Sequence, residues 1–146
     1  MTEQVQTENQ ASVLAMWNAL RQRFAQMAEG LTEEQLDWAL GDTSIRFLLH
    51  HTAEVEFLFA EWFLGKKQPA QLPPFSTRTE LLALLRASDQ HVKDAIHALP
   101  EEKWTDPVES RIGASTPLEA IGRLMYHAGI HAGQIALIKK QHNIGA

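Results

Sequence analysis

The chain has 146 residues, 45% hydrophobic and 21% charged, with a formal net charge of −5, an ordinary globular usage at a length that suits one domain over residues 1–146. The acids are scattered, no basic stripe argues for nucleic acid, and no apolar run approaches the ~20 residues of a membrane span. With no cysteine there are no disulfides or thiolate ligands, and the polar opening Met1–Gln10 lacks the pattern of a signal or transit peptide, so a soluble cytoplasmic protein is expected.

Apolar residues recur at helical spacing along most of the chain. The first run is Val13, Leu14, Met16, Trp17, Leu20, Phe24 and Met27. It follows a capping-box pattern, Thr7 to Gln10, and stops at Gly30. Thr32 with Gln35 introduces a short helical turn over Glu33–Leu40. Gly41-Asp42-Thr43-Ser44 then breaks the chain and offers caps for a second long helix to about Leu64. Gly65 to Thr77 holds Pro69, Pro73 and Pro74 and reads as a loop. Thr77 and Glu80 pair as a capping box for a third helix that ends before Pro100, with Leu81, Leu82, Leu85, Val92, Ile96 and Leu99 on its apolar face. Pro100 to Ser115 is a second loop. Thr116-Pro117-Leu118-Glu119 places a cap, a proline at the first helical position and a glutamate two residues later, opening a fourth helix to about Lys140. No strand pattern of useful length occurs, so the fold class is all-α.

Seven histidines lie along these helices. His127 and His131 are one turn apart on one face, a spacing that lets both imidazoles reach one ion. Alone this is weak, since chance gives roughly 0.3 such pairs at this histidine content. Ala120, Leu124, Ile135 and Ile138 share the face, however, so the stripe points to the core. Two imidazoles there need a common partner, which a metal ion supplies. His51 lies in a stripe with Phe47, Leu48, Val55, Leu58 and Phe59, whereas His50 is turned by about 100° onto a more mixed side. Read in isolation, His51 is better explained as a core histidine bonded to a backbone or side-chain acceptor; the inward pair beside it shifts the balance towards a third ligand. His97 reads as solvated, His91 as lining a helix interface, and His142 as part of a fraying tail.

Two segments resemble a known family. Thr43-Ser-Ile-Arg-Phe-Leu-Leu-His-His-Thr-Ala-Glu-Val-Glu is similar to the second-helix signature of the DinB/YfiT-like family, and Tyr126-His-Ala-Gly-Ile-His-Ala-Gly-Gln-Ile to its fourth-helix signature. The opening helix with Trp17 and the Leu31-Thr-Glu-Glu-Gln-Leu-Asp-Trp turn fit as well. The resemblance implies an up-down-down-up four-helix bundle, usually a homodimer, with a divalent metal on His51, His127 and His131. It also implies that a low-molecular-weight thiol can be a cofactor, as in relatives that carry out S-transfer or thiol-dependent isomerisation; other relatives have a hydrolase role or none assigned.

Three imidazoles leave open positions for water or substrate, as in catalytic sites. Zinc is the first candidate because imidazole suits it, and nickel, iron or cobalt would fit the same ligands. Glu54, one turn from His51, and Gln134, one turn from His131, are candidates for orienting a ligand or contacting substrate, with a solvated acid and a packed amide as the plain alternatives. Two functions remain open. One is a metal-dependent enzyme acting on a small molecule, of thiol S-transferase or hydrolase type. The other is a non-catalytic metal-binding module for stress-related binding or interaction. Finally, Gly122, Gly129 and Gly133 beside Ala128, Ala132 and Ala136 suggest close approach of another backbone, from helix 1 or 3 or from a second subunit.

Overall fold

Local capping sets where the helices begin. In the computed structural model, which describes residues 2–145, four long α-helices form: α1 Thr2–Glu29, α2 Ile45–Leu64, α3 Arg78–Ala98 and α4 Pro117–Gly145. Ser44 caps α2 by accepting from the Phe47 amide at 3.0 Å. Thr77 and Glu80 exchange both capping-box bonds at 3.1 Å, and Thr116 and Glu119 do so at 2.9 and 3.1 Å. These bonds satisfy amides that a helix start leaves without partners. α2 ends at Gly65, whose φ of 76° only glycine adopts readily.

Three boundaries differ from the expectation. α1 begins at Thr2, so Thr7 lies inside the helix and does not cap it. The turn after Thr32 is a short 3₁₀ segment, Glu34–Asp37, and stops before Leu40. Ala39–Leu40 (β1) instead pairs antiparallel with Thr43–Ser44 (β2) around Gly41, whose φ is 62°. α4 continues past Lys140 to Gly145, and His142 stacks on Trp38 with ring centroids 3.7 Å apart. That stack gives the last turn a tertiary partner that the local sequence does not reveal.

Two hydrophobic clusters fix the directions of the helices. One joins Phe24 and Ala28, Ile45 to Phe57, Leu81 to Leu85, and Ala128 to Ile138. The other joins Val13 and Trp17, Phe59 to Leu64, Val92 to Ile96, and Ala120 to Leu124. From the first cluster to the second, numbering falls along α1 and α4 and rises along α2 and α3. The bundle is therefore up-down-down-up. α2 and α3 run parallel, so Gly65–Thr77 must return along the bundle; at ~3.3 Å per extended residue it is long enough to pass a helix of 20 residues.

The fourth helix's glycines do not pack inside this bundle. A Cβ added at Gly122, Gly129 or Gly133 would meet nothing within 4 Å. Close approach of α1 or α3 is thereby excluded as their explanation. Among the described residues, no helix is long and apolar enough to cross a membrane.

Candidate metal centre

α2 and α4 are antiparallel neighbours, and their facing turns bring the three histidines together. Ser44 and the β1–β2 turn set the register of α2, which puts His51 on its second turn facing α4. The Thr116 cap sets the register of α4, which puts His127 and His131 on the side facing α2. One ring nitrogen from each of His51, His127 and His131 lies within 4.8 Å of the others, a group that could hold a metal ion. His127 Nε2 and His131 Nε2 are 2.9 Å apart. The His51 ring centroid is 5.1 Å from that of His127 and 5.5 Å from that of His131.

Glu54 and Gln134 sit behind this cluster. Glu54 Oε1 is 3.2 Å from His51 Nδ1, and Gln134 Oε1 is 2.6 Å from His131 Nδ1. With its Nδ1–H donating to Gln134, His131 carries a lone pair on Nε2, the atom that faces His127. The Phe47 ring lies nearly parallel to the His51 ring, with centroids 5.5 Å apart. His50 turns away and stacks on Phe75 at 3.9 Å. His91, on α3, packs against Phe57 of α2, its ring 4.9 Å from the phenyl, and reaches the Lys66 carbonyl at 3.3 Å. His97 is exposed.

Electrostatics favour neutral imidazoles. Burial, followed by the charges that His131 and His51 would carry, pushes His127 down to about 4. Burial also lowers His131, against the opposing hydrogen bond to Gln134. Neutral imidazoles are the form that binds metal. Their donor set fits one divalent ion: tetrahedral ligands ~2.1 Å from an ion are roughly 3.4 Å apart, near the 2.9 Å between His127 and His131. Without an ion, two lone pairs at that distance need a proton between them. The His51 side chain is 34% exposed, so the cluster is reachable from solvent.

A second polar group in the interior has no counterpart in the sequence reading. Arg21 Nε donates to Glu56 Oε2 at 2.8 Å, Arg21 Nη2 to Glu56 Oε1 at 3.1 Å, and Ser88 Oγ to Glu56 Oε1 at 2.6 Å. These residues come from α1, α2 and α3. Only their helical phase could have hinted at the meeting, since no local spacing links them.

The comparisons with known proteins agree with this architecture. A DinB-like protein from Bacillus cereus is similar with a TM-score of 0.75 and 17% identity, over 90% of this chain and 91% of that one. A DinB-like protein from Bacillus subtilis has a TM-score of 0.71 and 15% identity, over 90% and 92%. A conserved protein from Enterococcus faecalis has a TM-score of 0.60 and 18% identity, over 92% and 95%. At such identities the likeness speaks for the fold alone. No curated protein matches the sequence. Residues 16–135 match the DinB superfamily by sequence, and with the bundle and the histidine positions already described, the chain belongs to that superfamily.

Proposed function

We propose that His51, His127 and His131 hold one divalent metal ion, zinc foremost, and that residues 1–146 act as one domain that uses it on a small-molecule substrate. The observation that carries this reading is the convergence of three imidazole nitrogens in a place that solvent can reach. What the ion supplies is Lewis acidity towards a thiol or a water molecule. Glu54 and Gln134 hold the Nδ1 protons of His51 and His131, which fixes both tautomers and ring directions. Phe47 stacks alongside the His51 ring and adds an apolar surface next to it.

The reaction is a transfer to or from a small molecule. In S-transfer, the sulfur of a low-molecular-weight thiol forms a bond to an electrophilic carbon, the leaving group departs with its electron pair, and the thiol proton passes to solvent. In hydrolysis, water takes the place of the thiol. The test uses tag-free protein loaded with zinc, offered a thiol with a chromogenic electrophile in one arm and an activated ester in the other. Turnover in either arm that disappears in His131→Ala supports an enzyme. Stoichiometric metal with no turnover in both arms would leave a binding module and overturn the enzyme reading.

The open glycine face of α4 belongs to the same proposal. Gly122, Gly129 and Gly133 have room for a partner's backbone, and Tyr126 and Ile130 are exposed beside them. A homodimer would cover this face. Light scattering should give about twice the 16.4 kDa of one chain, and Gly129→Leu should lower that mass. A mass of one chain at all micromolar concentrations contradicts the dimer.

A further inference from the structure

At the end of the bundle away from the histidines, the last turns of α2 and α3, the 3₁₀ segment Glu101–Lys103 and the start of α4 border a cavity of about 590 Å³. That volume lies within the ~300–1,000 Å³ usual for small-molecule sites. Trp62, in one of its walls, is about 16 Å from His51 along α2 at ~1.5 Å per residue, so the cavity is separate from the metal site. Trp62, Leu99 and Val108 give it an apolar side. Lys66 and Lys103 line it from the two long connections, against a single carboxylate, Asp106. Neither lysine has an ion-pair partner among the described residues. The whole chain carries 18 acids against 13 lysines and arginines, so the cavity reverses the balance of the chain. Backbone bonds fix where both lysines start. The Lys66 amide donates to the Ala60 carbonyl at 3.0 Å, and the Lys66 carbonyl lies 3.3 Å from His91 Nε2. The Lys103 amide donates to the Pro100 carbonyl at 3.0 Å.

We infer that this cavity is a second binding site, for a small organic anion with an apolar body. The body lies against Trp62, Leu99 and Val108, and a carboxylate or sulfonate turns towards Lys66 and Lys103. Apolar walls beside a few charged groups are how small-molecule sites combine affinity with orientation. Area removed from water supplies the affinity, and the two ammonium groups select the sign of the charge. A cationic ligand of the same shape would meet two like charges, and the one carboxylate of Asp106 cannot offset both. This inference does not depend on the metal reading.

The test titrates the full chain with anilinonaphthalene sulfonate and with phenylnaphthylamine, the same fluorescent body without the sulfonate. The sulfonate should bind once per chain and roughly threefold to thirtyfold more tightly than the uncharged dye, as two partly exposed ion pairs allow. High salt should shrink that difference. Lys66→Gln combined with Lys103→Gln should bring the two dyes to within about twofold of each other, while Lys139→Gln with Lys140→Gln, at the other end of α4, should leave the preference intact. Ala98 is exposed and lines the cavity, so Ala98→Trp should fill it and abolish binding of both dyes with the helical circular dichroism unchanged. Added zinc should alter none of these results. No binding, several dye molecules per chain, a preference that survives the loss of both lysines, or binding that survives Ala98→Trp overturns the site. Binding that appears only with zinc places the anion at the histidines and overturns it as well.

Discussion

Arg21 and His131 are both polar side chains inside a helical bundle, yet their surroundings differ in kind. Arg21 and Glu56 are 2% and 1% exposed and close on each other, with the Leu85 carbonyl accepting a further bond from Arg21 Nη2 and the Ser88 hydroxyl donating one to Glu56. Every charge there has its opposite within the chain. His131 meets another imidazole at its inner Nε2, and the partners from outside the histidine trio lie at the outer Nδ1 atoms of His51 and His131. The inner nitrogens converge with nothing but one another. A polar group complete in itself holds a fold together; one that presents lone pairs towards a shared point is arranged for an ion.

The largest effect should come from breaking the complete group. Glu56→Ala leaves the Arg21 guanidinium buried without its carboxylate and should cost about 3–5 kcal/mol by urea unfolding. Arg21→Met combined with Glu56→Leu removes both charges, and Ser88 keeps its bond to the Leu85 carbonyl, so this variant should be close to wild type in stability. A cost below about 1 kcal/mol for Glu56→Ala would mean that water reaches the pair, and the contrast would fail on that side.

The histidine group should behave in the opposite way, gaining from an addition. Zinc at a hundredfold excess over its Kd should stabilise wild type by about 2.7 kcal/mol, read as a rise in thermal midpoint. His131→Ala should lose that response. A zinc-dependent rise that survives in His131→Ala would place the ion elsewhere.

A smaller effect should follow from the side chains behind the ligands. Gln134→Ala frees His131 Nδ1 from its acceptor and should weaken zinc binding on the order of tenfold, as lost orienting partners commonly do. Unchanged affinity by competition with a chelating dye would make Gln134 a packing residue only.

Acid gives the subtlest contrast. His127 in the metal-free fold lies at about 4, below the ~6.5 of an unfolded histidine. As pH falls, the unfolded chain takes up that proton first. The contribution of His127 is therefore full above ~6.5 and lost as pH drops towards its folded value. Glu56 has the opposite sign: burial raises its carboxyl, against the pull of Arg21 and Ser88, so its contribution is present below the ordinary carboxylate range and lost as pH rises through its folded value. Metal-free wild type should gain stability relative to His127→Gln between pH ~4 and ~6.5. A difference that does not vary with pH contradicts the burial of His127.

The two groups were also unequally legible in the sequence. His127 and His131 are one turn apart on one helix, and although that spacing alone was weak, the apolar residues around them set which way they face. Glu54 and Gln134 stood at the right spacing too, although spacing alone could not tell an orienting bond from a solvated side chain. Arg21, Glu56 and Ser88 meet only through the packing of three helices, which no local pattern encodes. Capping boxes were readable for the same reason as the histidine pair: Thr77 with Glu80 and Thr116 with Glu119 act within one turn. The start of α1 was hidden because Thr2–Asn9 is polar, and the end of α4 because the stack of His142 on Trp38 is tertiary. The glycines of α4 misled in one respect: small size can mean close packing, but inside this bundle it leaves an open face.

The most direct test of the account is the metal content of tag-free protein, compared across wild type, His51→Ala and His50→Ala. The account predicts close to one divalent ion per chain in wild type and in His50→Ala, where the ring stacks on Phe75 away from the cluster, and little in His51→Ala. Metal retained by His51→Ala and lost from His50→Ala, or no stoichiometric metal in wild type even after incubation with zinc, would contradict it.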